Sequence, residues 1–339
     1  MTLSRSRRLR GTAPASRLLR AEVSAMGGVS ISSPLVIVGP TASGKSVLAL
    51  ELARRDRALQ GGGAAVELVS VDSMAVYRGM DIGTAKPTAA ERTDVRHHLI
   101  DLVDPAERFT VVDYATAFEA AMADIAARGA VPMLVGGTGL YLRAVIDGLT
   151  PPPEFGSIAA ELEAEAHATA DGVVALHRRL GELDPLAASR MEPTNVRRVV
   201  RALSVCLGTG RPFSSYGPGL QTYPEVPFRT LGIDLDRHTL DERITDRYRR
   251  QIEEGFVDEV RRLMERPLSR TAAQALGYKE LRAHLAGECS LDEALEVAIA
   301  RTRRFARRQQ RWFARDPRIT WIRYGSTSEM ADRAQQLEA

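Results

Sequence analysis

The chain has 339 residues, of which 44% are hydrophobic and 26% charged, an ordinary globular composition that fits one large domain or two modest ones. No apolar run approaches the roughly 20 residues of a membrane-spanning helix, and Cys206 and Cys289 stand far apart in no paired motif, which excludes a disulfide scaffold and a cysteine-built zinc site. Lys and Arg exceed Asp and Glu by 46 to 43, and this mild excess is local, as the first segment shows.

Residues 1–25 hold six arginines against Glu22 alone, leaving 40 basic against 42 acidic residues in the rest. The basic character therefore belongs to the N-terminal stretch and not to the body. That stretch lacks the apolar core of a secretory signal. Residues 1–33 read as a disordered basic extension, with Met26 as an alternative start, and the chain reads as cytoplasmic.

Leu35–Val38 is a short apolar run of strand type, followed by Gly39-Pro40-Thr41-Ala42-Ser43-Gly44-Lys45-Ser46 and an amphipathic stretch from Ser46 to Arg54. Strand, G-x-x-x-x-G-K-S loop and helix together form a P-loop. Its backbone N–H groups at a helix N-terminus cradle an anion, Lys45 neutralises terminal phosphates and the Ser46 hydroxyl ligates Mg²⁺. The motif reports a bound polyphosphate, not ATP in particular. Lysine occurs only at Lys45, Lys86 and Lys279, so each marks a place where a compact ammonium is used instead of arginine.

Val66–Val71 is the next strand and ends at Asp72-Ser73; Val111 to Arg128 is a helix closed by Gly129. Val131–Val135 is a buried strand running into Gly136-Gly137-Thr138-Gly139 and another helix. This alternation predicts an α/β fold, a P-loop NTPase-like parallel sheet flanked by helices. Ligands of such sheets sit at the carboxyl ends of the strands, where the P-loop, Asp72 and Thr138 all fall. Asp72 reads either as a metal-organising carboxylate or as a general base. Ser73 stands where ATP-hydrolysing motors carry Glu, and no Asn-Lys-x-Asp is present for guanine, so group transfer fits better than a motor or GTPase.

Thr150-Pro151-Pro152-Pro153 breaks the alternation, and Tyr216-Gly217-Pro218-Gly219 and Tyr223 to Pro227 close a mostly helical stretch. Residues 149–227 are predicted as a helical insertion into a core made of 34–148 and 228–325, with 326–339 as a C-terminal tail. Within the insertion Arg197-Arg198-Val199-Val200-Arg201 has no acid within four residues and reads as a phosphate-binding edge or as solvated surface. Phe228 to Leu235 resumes the sheet. Thr239-Leu240-Asp241-Glu242 predicts a capping box for a helix with Arg243, Arg247 and Arg250 on one face, where nearby acids offer ion-pair partners. Leu291 to Phe313 is the last helix; Ala298, Phe305, Trp312 and Phe313 form its core face. Arg301, Arg303, Arg304, Arg307, Arg308, Arg311, Arg315, Arg318 and Arg323 face Asp316 alone in this segment, which predicts a polyanion partner.

Over roughly Pro34 to Tyr324 the chain resembles the tRNA dimethylallyltransferases (tRNA isopentenyltransferases) of bacterial type. The motifs are GPTASGKS at 39–46, VDSMAVYRGMDIGTAKP at 71–87, HHLIDLVDP at 97–105 and LVGGTGLYLRA at 134–144. RRVVRAL at 197–203, QALGYKEL at 274–281 and TRRFARRQQRWF at 302–313 complete the set. The resemblance implies transfer of a dimethylallyl group from its diphosphate to N6 of the adenine 3′ of a tRNA anticodon. It implies Asp72 as general base, Arg247 on the diphosphate, Thr138 near the base, and Gly39 to Ser46 with Mg²⁺ around the leaving group. It further implies that Asp72, Ser73, Met74, Ala75, Arg197 to Arg201, and Gln274, Ala275, Leu276, Gly277, Tyr278 and Lys279 hold the tRNA anticodon arm, with the adenine flipped from its stack and the enzyme a monomer. The chain departs from the family pattern at Ala75, where Gln is common, and at Ser204, where Glu is common. A P-loop small-molecule kinase and a non-catalytic RNA-binding P-loop protein are the alternatives: the first has no use for the arginine-rich end helix, the second none for Asp72.

Overall fold

The computed structural model describes residues 34–60, 65–149, 151–216 and 219–337. The expected N-terminal extension (1–33), Thr150, Gly217 and Pro218 lie outside the described residues.

Six strands, β1 (Leu35–Val38), β2 (Val66–Val71), β3 (His97–His98), β4 (Val131–Gly136), β5 (Arg229–Asp234) and β6 (Ile319–Arg323), form one parallel sheet in the order β3-β2-β4-β1-β5-β6. Period-2 alternation sends Leu35 and Ile37 to one face and Val36 and Val38 to the other, and all four are buried because helices cover both faces. The register pairs Val38 and Val71 with Gly136 from either side. A Cβ at Gly136 would fall 2.0 Å from the Val71 carbonyl oxygen, so only glycine admits this close approach.

Helix α1 (Lys45–Gln60) follows the P-loop and buries Leu48, Ala49, Leu52 and Ala53 against the sheet. Helices α2 (Ala89–Asp94) and α3 (Val111–Ala127) both start at Thr capping boxes, Thr88 with Glu91 and Thr110 with Asp113. Gly129 at φ 65° stops the chain after α3, and α4 (Gly139–Ile146) follows β4.

Among the described residues, those up to Gly148 and from Glu225 onward form one compact unit, and those within Leu149–Pro224 form a second. The second unit contains α5 (Gly156–Ala168), α6 (Gly172–Leu183), α7 (Pro185–Ser189) and α8 (Val196–Thr209), packed on Leu162, Leu176, Leu180, Val199 and Leu203. Its boundary falls before the expected 227 because Val226 and Phe228 already pack into the sheet core.

In the first unit, α9 (Arg237–Glu253) is capped three residues before the expected Thr239. Asp236, in extended conformation, takes the cap position and accepts from Thr239 N at 3.0 Å and Thr239 Oγ1 at 2.7 Å, so Thr239 lies inside the first turn. Helices α10 (Phe256–Leu263), α11 (Tyr278–Leu285) and α12 (Leu291–Phe313) follow, the last within the predicted bounds and capped by Ser290 with Glu293. Of the expected 326–339 tail, the described residues 326–337 are no plain tail. Ser326 and Glu329 cap α13 (Thr327–Gln336), whose Met330, Ala331 and Ala334 are buried in the cluster shared with α1, and Asp332 pairs with Arg55 at 2.5 Å. An S-x-x-E capping box preceding Met330 carried that signal in the sequence.

Candidate active site

The loops after β2, β4 and β1 lie side by side at the carboxyl edge of the sheet, so the Asp72, Thr138 and P-loop segments are neighbours by topology. The P-loop turns sharply, with Ala42 at φ 63° and Gly44 at φ 93°, and the first N–H groups of α1 have no intrahelical acceptor. Ser43 N donates to the Pro40 carbonyl at 3.2 Å and Lys45 Nζ reaches the same oxygen at 3.3 Å. Burial pulls the Lys45 ammonium down to about 8; Asp72 opposes that shift and Arg247 adds to it.

Two arginines of α9 brace the loop from outside. Arg243 Nε donates to the Ala42 carbonyl at 2.7 Å, and its guanidinium sits 5.0 Å above the Tyr324 ring and hydrogen-bonds the Tyr324 hydroxyl. Arg247 donates to Thr41 Oγ1 at 2.8 Å and to the Gly83 carbonyl at 3.3 Å. Burial holds its guanidinium below the usual arginine value, with Asp72 opposing.

Asp72 Oδ1 accepts from Met74 N at 2.7 Å, an Asx turn that fixes the carboxylate. Among the described residues Oδ2 makes no hydrogen bond. Thr138 N donates to the Val71 carbonyl at 3.2 Å, and Thr138 Oγ1 accepts from Ser73 N at 3.1 Å. The arrangement is a cationic anion cradle beside an anchored carboxylate, the two parts needed when an anion leaves as a proton is removed.

The family described as IPP transferase matches residues 75–316. The chain belongs to the IPP transferase family. A tRNA dimethylallyltransferase of Geobacter metallireducens is 48% identical over 86% of this chain and 92% of its own. Among solved structures, the full-length tRNA isopentenylpyrophosphate transferase of Bacillus halodurans is 37% identical, with TM-score 0.63 over 91% of this chain and 96% of its own. A eukaryotic dimethylallyltransferase acting on tRNA is 26% identical, with TM-score 0.70 over 90% and 77%.

In this IPP transferase the remaining sequence-predicted residues separate into reachable and structural ones. Arg197 and Arg198 are exposed on α8, but Val199 and Val200 are buried in the second unit's core, and Arg201 donates to the Pro152 and Pro153 carbonyls. The i, i+4 spacing that places Arg197 and Arg201 on one face did not show that a proline-rich backbone claims the second arginine. In the 274–279 block Gln274 and Lys279 are exposed and bonded to each other at 3.3 Å, and Leu276 is half-buried. Ala275 and Tyr278 are buried, and Gly277 adopts φ 84° against Phe256. Ala75 is buried as well. Lys86 is a structural tie: its buried ammonium bonds the Tyr77 carbonyl, Asp81 and Asp101.

The end-helix arginines also divide. Arg301 pairs with the buried Glu280, Arg303 and Arg307 face Asp241, and Arg318 binds Asp316 and Asp147. The acids that the local sequence lacked come from other elements. Arg304, Arg308, Arg311 and Arg315 remain exposed and, among the described residues, form no ion pair.

Sequence reasoning missed two buried anchors. Glu259 accepts from Asp81 N, Ile82 N and Gly83 N at 2.8–3.2 Å and from the Tyr278 hydroxyl at 2.6 Å, and thereby holds the carbonyl that positions Arg247. Gln309 bonds the backbone of both the P-loop and the β4 loop. Gln309 lies inside the 302–313 motif, which points to its arginines and gives the glutamine no role, and no motif marks Glu259. Among the described residues no helix is long and apolar enough to cross a membrane.

Proposed function

We propose that this enzyme transfers the dimethylallyl group of dimethylallyl diphosphate to N6 of the adenine 3′-adjacent to a tRNA anticodon, as a cytoplasmic monomer. The observation that carries the reading is the juxtaposed pair: a P-loop braced by Arg243 and Arg247, and Asp72 with one carboxylate oxygen unengaged.

N6 attacks C1 of the donor as the C1–O bond to diphosphate breaks. The P-loop amides, Lys45 and Arg247 take up the charge developing on the departing diphosphate. Asp72 Oδ2 accepts the N6 proton, and Thr138, anchored to Ser73 N, keeps the two loops in register beside the base. A Mg²⁺ ion fits the exposed Ser46 hydroxyl at the start of α1, since Mg²⁺ takes one or two protein ligands and otherwise phosphate and water oxygens; when bound it offsets diphosphate charge. Arg197, Arg198, Gln274 and Lys279 supply exposed contacts for the anticodon arm. A kinase reading has weaker support, because the relatives that match almost the whole chain are named as prenyltransferases.

Purified enzyme with Mg²⁺, radiolabelled dimethylallyl diphosphate and unmodified tRNA is expected to label adenine-containing tRNA only, not an adenine-to-guanine control. Asp72→Asn is expected to lower turnover by about 10³ with tRNA affinity kept. ATP-dependent phosphorylation of a small molecule, with no label in tRNA, would overturn the reading.

A further inference from the structure

Gln309 lies on α12 and is buried, yet it is neither part of the hydrophobic core nor a member of any charged network. Its carboxamide spans two loops that carry different halves of the site. Oε1 accepts from Thr41 N of the P-loop at 2.8 Å, and Nε2 donates to the Gly137 carbonyl of the β4 loop at 2.8 Å. The partners lie 268 and 172 residues away in the sequence, and a donor on one side with an acceptor on the other fixes which way the amide faces.

Each tie leads directly to a functional side chain. Thr41 accepts Arg247 through its hydroxyl while its N–H is held by Gln309. Gly137 precedes Thr138, which accepts from Ser73 N, next to Asp72. The packing at Gly137 is tight: a Cβ there would fall 2.5 Å from Gln309 Nε2 and 3.1 Å from the Gly39 carbonyl oxygen. The two loops and the amide thus form a closed contact.

We infer that Gln309 is a positioning residue that sets the register between the diphosphate cradle and the general-base side of the site. This role presupposes the prenyl-transfer reading above. Attack at C1 requires leaving group, carbon and base to be aligned, and a misplacement near 1 Å costs about 10²-fold in rate. A residue that binds neither substrate but indexes both loops affects that alignment and leaves each separate binding event nearly intact.

The test uses Gln309→Glu and Gln309→Met in the full chain. Gln309→Glu keeps size and the acceptor for Thr41 N but turns a carboxylate oxygen toward the Gly137 carbonyl; Gln309→Met removes both ties. Single-turnover transfer at saturating tRNA and dimethylallyl diphosphate is expected to fall about 10²-fold in both, while dissociation constants for inorganic pyrophosphate and for tRNA, each measured alone, move by less than about threefold. Hydrogen exchange is expected to accelerate in 39–46 and 136–139 together, with β1 and β4 still protected. Unchanged single-turnover rates, a loss explained wholly by weaker binding of one ligand, or acceleration in only one loop overturns the assignment. If the wild-type enzyme transfers no dimethylallyl group, the functional reading fails, and paired exchange in the two loops still decides whether Gln309 registers them.

Discussion

Lys45 is charged at a structural disadvantage, and replacing it tests the electrostatics of the cradle. Its ammonium titrates near 8 in the folded protein against an ordinary 10.5, a difference worth about 3 kcal/mol at about 1.4 kcal/mol per pKa unit. Because the folded value is the lower one, the folded protein binds fewer protons than the unfolded chain between about pH 8 and 10.5. The penalty is therefore fully present below pH 8 and is relieved as the pH rises toward 10.5. Lys45→Met removes the buried charge and keeps an unbranched apolar stem, but loses the 3.3 Å bond to the Pro40 carbonyl, worth about 1 kcal/mol. The variant is expected to be about 2 kcal/mol more stable than wild type at neutral pH in urea unfolding, with no transfer activity. The gap is expected to narrow as the pH rises through the window, and added pyrophosphate is expected to stabilise wild type but not the variant. A variant less stable than wild type at neutral pH, or a gap that does not change between pH 7 and 10, would refute a desolvated lysine poised for an anion.

Glu259→Gln turns an N–H₂ group toward buried donors that now share a carboxylate, so urea unfolding is expected to show a loss of about 3 kcal/mol. Turnover is expected to drop with it, because Gly83 no longer holds Arg247; a loss below about 1 kcal/mol would show that the 81–83 turn is held elsewhere. Replacing Arg304, Arg308 and Arg311 with Gln is expected to leave folding intact and to weaken the salt dependence of tRNA binding, the log–log slope falling by about 0.7–0.9 for every phosphate these arginines neutralise in the wild type. An unchanged slope would remove this helix face from the RNA interface.

What the sequence displays is what is decided locally. The P-loop, the end of β2 at Asp72 and the turn after β4 at Thr138 are each a strand followed by its own loop, and α12 is bounded by its own capping box and apolar period. Their convergence follows from the parallel topology, which the alternation implies. The side chains that hold the site together carry no such signature, since Glu259 and Gln309 reach backbone partners 172 to 268 residues away. Charge patterning misleads for the same reason. Arg301, Arg303 and Arg307 look unneutralised along α12, yet Glu280 and Asp241 reach them through the fold. Val199 and Val200 stand inside a basic string, but the helical period turns them inward to the core of the second unit.

The division of charge in the cradle also bears on why a P-loop serves prenyl transfer. A lysine that titrates near 8 is a variable cation, whereas guanidinium groups stay protonated throughout the physiological range. Here the fixed charges come from α9, where Arg243 grips the Ala42 carbonyl and Arg247 the Thr41 hydroxyl. In the proposed reaction the departing diphosphate carries several negative charges on both phosphates, so cations spread from Lys45 to Arg247 would match that anion better than one ammonium at its end. The loop's shape depends on the C-terminal part of the chain to the same degree: Arg243, Arg247 and Gln309 all bond to residues 41–42, and all three lie beyond residue 240. A chain cut after the second unit would keep the motif and lose the groups that give it charge and register.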